Sequence, residues 1–573
     1  MKKGIALAAV TALALGSLVV GIGSSSGGLG LTDAQRTRLA ELAQQVLTDG
    51  IQARSPSVRI AAAWAWGRVP SPEATPLLLQ ALREERSWKV RVAAARALGS
   101  LQAASAAWEV AEALRQAPDE LTRRAFRDVL VELGEPAVSV AMDLLGDPAE
   151  GVRRAAASAL GRIGSPEALP ALTRALDPRY EGSSTVRRQA AQALGEIGSP
   201  EAVPALLERL ASDPNGTVRL VAAGALGWIG DARAAPALTN TLQAEDFLLR
   251  AEAALALGRL QGVETESLRA LLNALKAEGS GPVRSALALG LGETRRPEAV
   301  PALVDLLEGP EPESVRRSAA WGLAQIATPE AGNALERALA SPQDEVRQAA
   351  AFALGAAGRP EAAPVLEEIA WSDPDPEDRA RAAQLLGSLG DAAAVETLTQ
   401  LLRGDRYGSV RRVAAQALAS LGQTVAVPAL MESLDDPDLT VRAAAAEALG
   451  VLGDPRAISA LAEALEAAPD PGPVLEDAFA GALARALARL GPASLPALKG
   501  LLSAEGEGEA ARRAAAFGLE LLARRAAATE DTDLVEELAE VLPLLHEKLL
   551  QGRVRLEQID AACALWAILQ LSP

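Results

Sequence analysis

Residues 152–178 read VRRAAASALGRIGSPEALPALTRALDP, and their reading decides the fold. At 100° per residue, Val152, Ala156, Leu160 and Ile163 fall on one apolar stripe of a helix. Gly164 supplies the left-handed residue that ends this helix. Ser165-Pro166-Glu167 then opens a second one, with Ser as N-cap, Pro in the first turn and an acid favoured by the helix dipole. Pro170, four residues on, predicts a kink or restart. The stretch is therefore a unit of two antiparallel helices.

The unit recurs. Its anchor position returns at Val58, Val90, Thr122, Val152, Val186, Val218, Leu249, Val283, Val315, Val346, Asp378, Val410 and Val441, in steps of 30 to 34 residues. Looser copies at Phe479, Ala511 and Glu557 bring the total to about sixteen. Units at one period that each bury an apolar face against their neighbours predict an all-α solenoid. The pattern V-R-x-x-A-A-x-A-L-G-x-I-G resembles the HEAT-like repeats first associated with phycobilin lyases, over residues 50–525. Ankyrin and tetratricopeptide signatures are absent. The resemblance implies a scaffold fold and leaves function open, because this repeat serves many proteins.

Scarce residues exclude several chemistries. The single cysteine, Cys563, rules out an intrachain disulfide, and the single histidine, His546, rules out a multi-histidine metal site. Deoxyhypusine hydroxylase shares the repeat type but uses paired His-Glu motifs for a di-iron centre; here His546-Glu547 is a lone occurrence outside the repeats. No cofactor and no catalytic residue are expected, and a lyase-type enzyme is the remote alternative. A formal charge of −18 argues against nucleic acid as a partner.

Lys2 and Lys3 precede an apolar run over residues 5–22 and a Ser/Gly tether. This order is that of an export signal, cleaved or kept as a signal-anchor, with a non-export apolar segment as the open alternative. The expected layout is residues 1–32 as signal and tether, 33–525 as solenoid, and 526–573 as a helical cap containing His546 and Cys563 as packing residues. The body would face outward, touching a membrane only through an uncleaved first segment.

The turn before the arginine that follows the anchor, as in Arg59, Arg153, Arg219, Arg347 and Arg442, usually holds an Asp or Glu, and a stacked Arg-to-acid ladder is expected to tie neighbouring units together. The third, fourth, seventh and eleventh positions of the second helix face away from the packed stripe. They carry Trp64, Trp228, Trp321, Phe352 and Phe517, from a chain with only eight Trp, two Tyr and five Phe. They also carry thirteen arginines, among them Arg68, Arg124, Arg154, Arg162, Arg188, Arg317, Arg381, Arg412 and Arg513, against seven acids that include Asp128 and Asp560. Aromatics with arginine predict a groove for an acidic protein or peptide. An anionic cell-envelope polymer is the rival ligand, and mere filling of gaps between helices the plain alternative.

Overall fold

The computed structural model describes residues 31–571 apart from 70, 471, 476–477, 505–507, 530 and 551–554. The expected export segment and most of its tether lie outside these residues. The described chain contains α-helices and short 3₁₀ turns and no strand, an all-α solenoid of stacked helix pairs. No helix among the described residues is long and apolar enough to cross a membrane.

All sixteen anchors fall in the second helices of their pairs, from Pro56–Arg68 through Glu150–Ile163 to Leu556–Leu569. The stops and starts follow the sequence. Gly164, Gly198 and Gly230 close their helices at φ of 79°, 73° and 73°. The turn Pro166–Ala168 is 3₁₀, and the α-helix restarts as Leu169–Leu176 with Pro170 in its first turn, where a missing N–H costs nothing. The expected serine caps differ: neither Ser165 nor Ser199 caps a backbone N–H, and Ser199 donates to Glu201 instead. Where the position is Asp, as at Asp231, Asp391 and Asp454, the carboxylate accepts the N–H two residues on at 2.9 Å.

Second helices are buried almost all round, because each lies between its own first helix and the second helices of both neighbours. In Glu150–Ile163 the residues from Ala155 to Gly161 are all buried. Small residues make this approach feasible. A Cβ on Gly227 would stand 2.6 Å from the Ala256 Cα, and one on Gly195 would stand 2.8 Å from the Ala225 Cα.

The chain divides into two compact units, Gln102–Thr397 and a second one built from both ends, up to Leu101 and from Leu398. In the latter, Asp33–Ile51 and Pro56–Arg68 pack on Leu556–Leu569. Arg68, expected on the groove, lies in this seam. Its Nε is 3.3 Å from Glu520 Oε1, its Nη2 donates to Cys563 Sγ at 3.5 Å, and its guanidinium stands 5.6 Å from the Phe517 ring centroid. Arg524 Nη2 donates to the Arg68 carbonyl at 3.1 Å. Arg513 and Asp560, also assigned to the open face, are buried beside it and joined at 2.8 Å. Phe517 is likewise buried, because the seam covers the face it was expected to present. Burial pushes the Cys563 thiol up to about 12, which removes it as a nucleophile at neutral pH. The helix Glu509–Thr529 runs through the boundary expected at residue 525.

Candidate binding site

The arginine ladder forms between several units, whereas Arg219 and Arg442 donate to the turn carbonyls of Asp213 and Asp436 and make no ion pair among the described residues. Arg153 donates through Nη1 to the carbonyls of its own turn, Asp147 and Pro148, at 2.9 Å each. Its Nε and Nη2 reach Glu181 in the turn of the following unit at 2.7 and 3.0 Å. Arg187–Asp213, Arg250–Glu278, Arg284–Glu311 and Arg411–Asp436 repeat the arrangement. Glu181, Asp213, Glu278 and Asp436 also accept an N–H of their own turns, Glu181 from Ser183 at 2.8 Å. Arg153 is held above the usual guanidinium value by the Glu181 hydrogen bond, and Glu181 stays below the usual carboxylate range because Arg153 and the turn outweigh its burial. These pairs are joints between units, satisfied within the protein.

On the variable face, the structure separates residues that the sequence grouped. Trp228 is 50% exposed and Trp321 37%, so both offer ring surface to solvent. Trp64 is half-buried, with Arg96 5.9 Å from its ring centroid. Phe352 is the correction: it is only 2% exposed and does not present a binding surface. Its position lies between successive second helices, and the guanidiniums of Arg381 and Arg317 stand 4.5 and 5.9 Å from its centroid. The arginines also divide. Arg154 pairs with Glu120 at 2.7 Å, Arg162 with Asp128, and Arg317 with Glu313 and, at 2.7 Å, Asp378. Arg412 is half-buried and donates to Gln416 at 3.4 Å. Arg124 and Arg188 make no ion pair among the described residues, and Arg124 is exposed. The expected positive excess is therefore neutralised only in part: Arg154, Arg162, Arg317 and Arg485 are paired, whereas Arg96, Arg124, Arg188, Arg259, Arg381, Arg412 and Arg489 make no ion pair among the described residues.

One unit departs from the rest. Its anchor is Asp378, which stands where most units place a valine and is only 7% exposed. Arg317 Nη2 donates to Asp378 Oδ2 at 2.7 Å, and Gln348 Nε2 bridges Asp373 Oδ2 at 2.7 Å and Asp378 Oδ2 at 3.2 Å. Gln348 thereby occupies the acid that the ladder would assign to Arg347. Arg347 turns to Asp344 at 2.7 Å and lies 3.7 Å from Glu368. A cavity of about 620 Å³ opens where the ladder is interrupted, and Asp373, Asp378, Arg347 and Glu368 line it. Burial raises Asp378 above the usual carboxylate range in spite of Arg317. On the other side of Arg317 lies a smaller hollow of about 140 Å³ between Trp321, Phe352 and Arg381. Partial burial and the like charge of Arg317 hold Arg381 below the ordinary guanidinium value. The sequence carries a signal for this place: a carboxylate at a position that most units fill with an apolar residue.

Stacked two-helix units joined by an arginine ladder define an α-solenoid repeat protein. The chain belongs to the HEAT-repeat family, whose model matches residues 44–131, 107–182, 179–258, 203–279, 268–351, 333–419 and 395–476. No curated protein matches it significantly. Among solved structures, yeast importin-β (Kap95p) is similar at 15% identity and a TM-score of 0.43, covering 93% of this chain and 84% of its own. The karyopherin Kap121p, bound to the extreme C-terminus of the protein phosphatase Cdc14p, is similar at 16% and 0.38, covering 90% and 70%. Human deoxyhypusine hydroxylase is similar at 26% and 0.22, covering 45% of this chain and 97% of its own.

Proposed function

We propose that this chain is a non-catalytic scaffold that holds a protein or peptide along the second-helix face of its repeats. The observation that carries the reading is the exposure of Trp228 and Trp321 on the second-helix face. A large aromatic left in water contributes nothing to the core, but it supplies contact area at little entropic cost when a partner covers it. The unpaired Arg124 and Arg188 add attraction for an acidic stretch of that partner. A track for an anionic polymer would draw on the cations of this face alone, and Arg154, Arg162, Arg317 and Arg485 are already paired. The pattern of Lys2, Lys3 and the apolar run after them supports export, with the scaffold working outside the cytoplasm.

The test is site-specific crosslinking. A photoreactive phenylalanine analogue is placed at Trp228 or Trp321, and in control chains at Trp108 or Trp371, which are exposed on first helices. The reading expects one partner captured from the second-helix positions, whose affinity then falls at least tenfold in Trp228→Ala. Equal capture from the control positions overturns it. Cell fractionation tests export, which fails if the chain stays wholly in the cytoplasm.

A further inference from the structure

We propose that the cavity beneath Asp378 binds an organic cation carried on a methylene chain, either a free polyamine or the lysine or arginine side chain of a peptide. This goes beyond the scaffold reading, because a free polyamine would satisfy the same chemistry without any protein partner.

The volume of about 620 Å³ lies within the range of roughly 300–1,000 Å³ usual for small-molecule sites. Seven carboxylates and two guanidiniums line it. Both guanidiniums are already engaged, Arg317 by Asp378 and Glu313 and Arg347 by Asp344, so the remaining field is negative. Asp378 can accept a further donor. Its hydrogen bonds, from Arg317 and Gln348, both fall on Oδ2, and the residue lines the cavity. Burial also outweighs Arg317 in setting its protonation, so one ion pair does not compensate the charge. An ammonium or guanidinium entering the cavity would.

Two features favour an organic cation over a metal ion. Among the described residues no three acidic, histidine or cysteine side chains are grouped so as to hold a metal. Val365, Ile369 and Pro374 give the cavity an apolar wall, against which methylene groups can pack while the charged end meets the acids.

Calorimetric titration of the full chain with spermidine and with hexalysine tests the proposal. About 150 mM salt screens non-specific attraction to a protein of charge −18. Saturable one-to-one binding of either probe is expected; spermidine alone indicates a free polyamine, and hexalysine alone a peptide side chain. Asp378→Val restores the valine usual at this position and should fold while weakening binding at least tenfold. Glu368→Gln, at an exposed edge of the cavity, should weaken it severalfold and decides the matter if Asp378→Val does not fold. Trp228→Ala should bind both probes normally, which separates this proposal from the scaffold reading. Absence of saturable binding by both probes overturns it, as does unchanged affinity in folded Asp378→Val or, where that variant does not fold, in Glu368→Gln.

Discussion

Arg187 grips Asp213 through both carboxylate oxygens, Nε to Oδ2 at 3.0 Å and Nη2 to Oδ1 at 3.1 Å, with side-chain exposures of 4% and 0%. The same guanidinium donates through Nη1 to the Glu181 carbonyl at 3.0 Å, so one side chain joins its own turn to the next unit. Removing one member leaves the other buried and unpaired, at a cost of about 3–5 kcal/mol. Arg403 and Glu432 have similar geometry, at 2.9 and 3.1 Å, but stand in solvent. Such a pair contributes about 0–1 kcal/mol. Denaturant melts of Arg187→Ala and Arg403→Ala should therefore differ by several kcal/mol, and equal losses would show that the ladder does not join the units.

One substitution should act with opposite sign at two glycines. In Gly227→Ala the new methyl meets the Ala256 backbone at 2.6 Å, where neither helix can yield locally, and overpacking of about 1–3 kcal/mol follows. Gly500 lies exposed within Leu495–Ser503 with nothing within 4 Å of a Cβ. Gly500→Ala should gain up to about 1 kcal/mol of helix propensity. Thermal melting checks both; stabilisation in Gly227→Ala would mean that second helices are not in close contact.

The exposed tryptophans should be expendable for folding. Trp66 is fully buried, and Trp66→Ala should cost about 3–5 kcal/mol. Trp228→Ala and Trp321→Ala should cost about 1 kcal/mol or less, since half or a third of each ring surface already meets water. A core-sized loss at Trp228 would remove the main support for a binding face there.

The seam between the chain ends makes a prediction about local opening. Arg68→Ala leaves Glu520 buried with Arg524 as its remaining cation and removes the stacking on Phe517. Amide exchange should accelerate in Asp33–Ile51, Pro56–Arg68 and Leu556–Leu569, while Gln102–Thr397 keeps its protection. Uniform acceleration over the whole chain would contradict a separable seam.

Asp378 gives a pH dependence with a definite sign. Its carboxyl titrates above its unfolded value of about 3.9, because burial, Asp373 and Asp375 outweigh Arg317 and the Gln348 amide. The charged form therefore costs stability above the raised value, and protonation relieves the cost as pH falls through it. Measured against Asp378→Asn, the wild-type chain should gain stability from neutral pH down towards pH 4. A relative loss over that window would reverse the assignment.

Much of this was legible beforehand because it is local. The anchor period, the glycine stops, the proline restarts and the Arg-to-acid spacing all relate residues within one unit or the next. The candidate site was legible only in part. Trp228 and Trp321 were found, but Phe352 shares Trp321's helical position and is buried, since exposure there depends on which side chains the neighbouring helices supply. Arg381 closes over Phe352; the sequence pattern assigns both to the open face. Asp378 appeared in the repeat as an anchor, and its importance emerges only with the interrupted ladder and the cavity beside it.

The sequence by itself determined that this protein is a stack of paired helices joined by charged ladders, because those features follow from contacts at one short, repeated separation. Only the tertiary structure decided that its two ends meet. Arg68 and Cys563 are 495 positions apart and in hydrogen-bond contact. No periodicity encodes such a pairing, since a repeat relates residues only within one unit or to its neighbour in sequence.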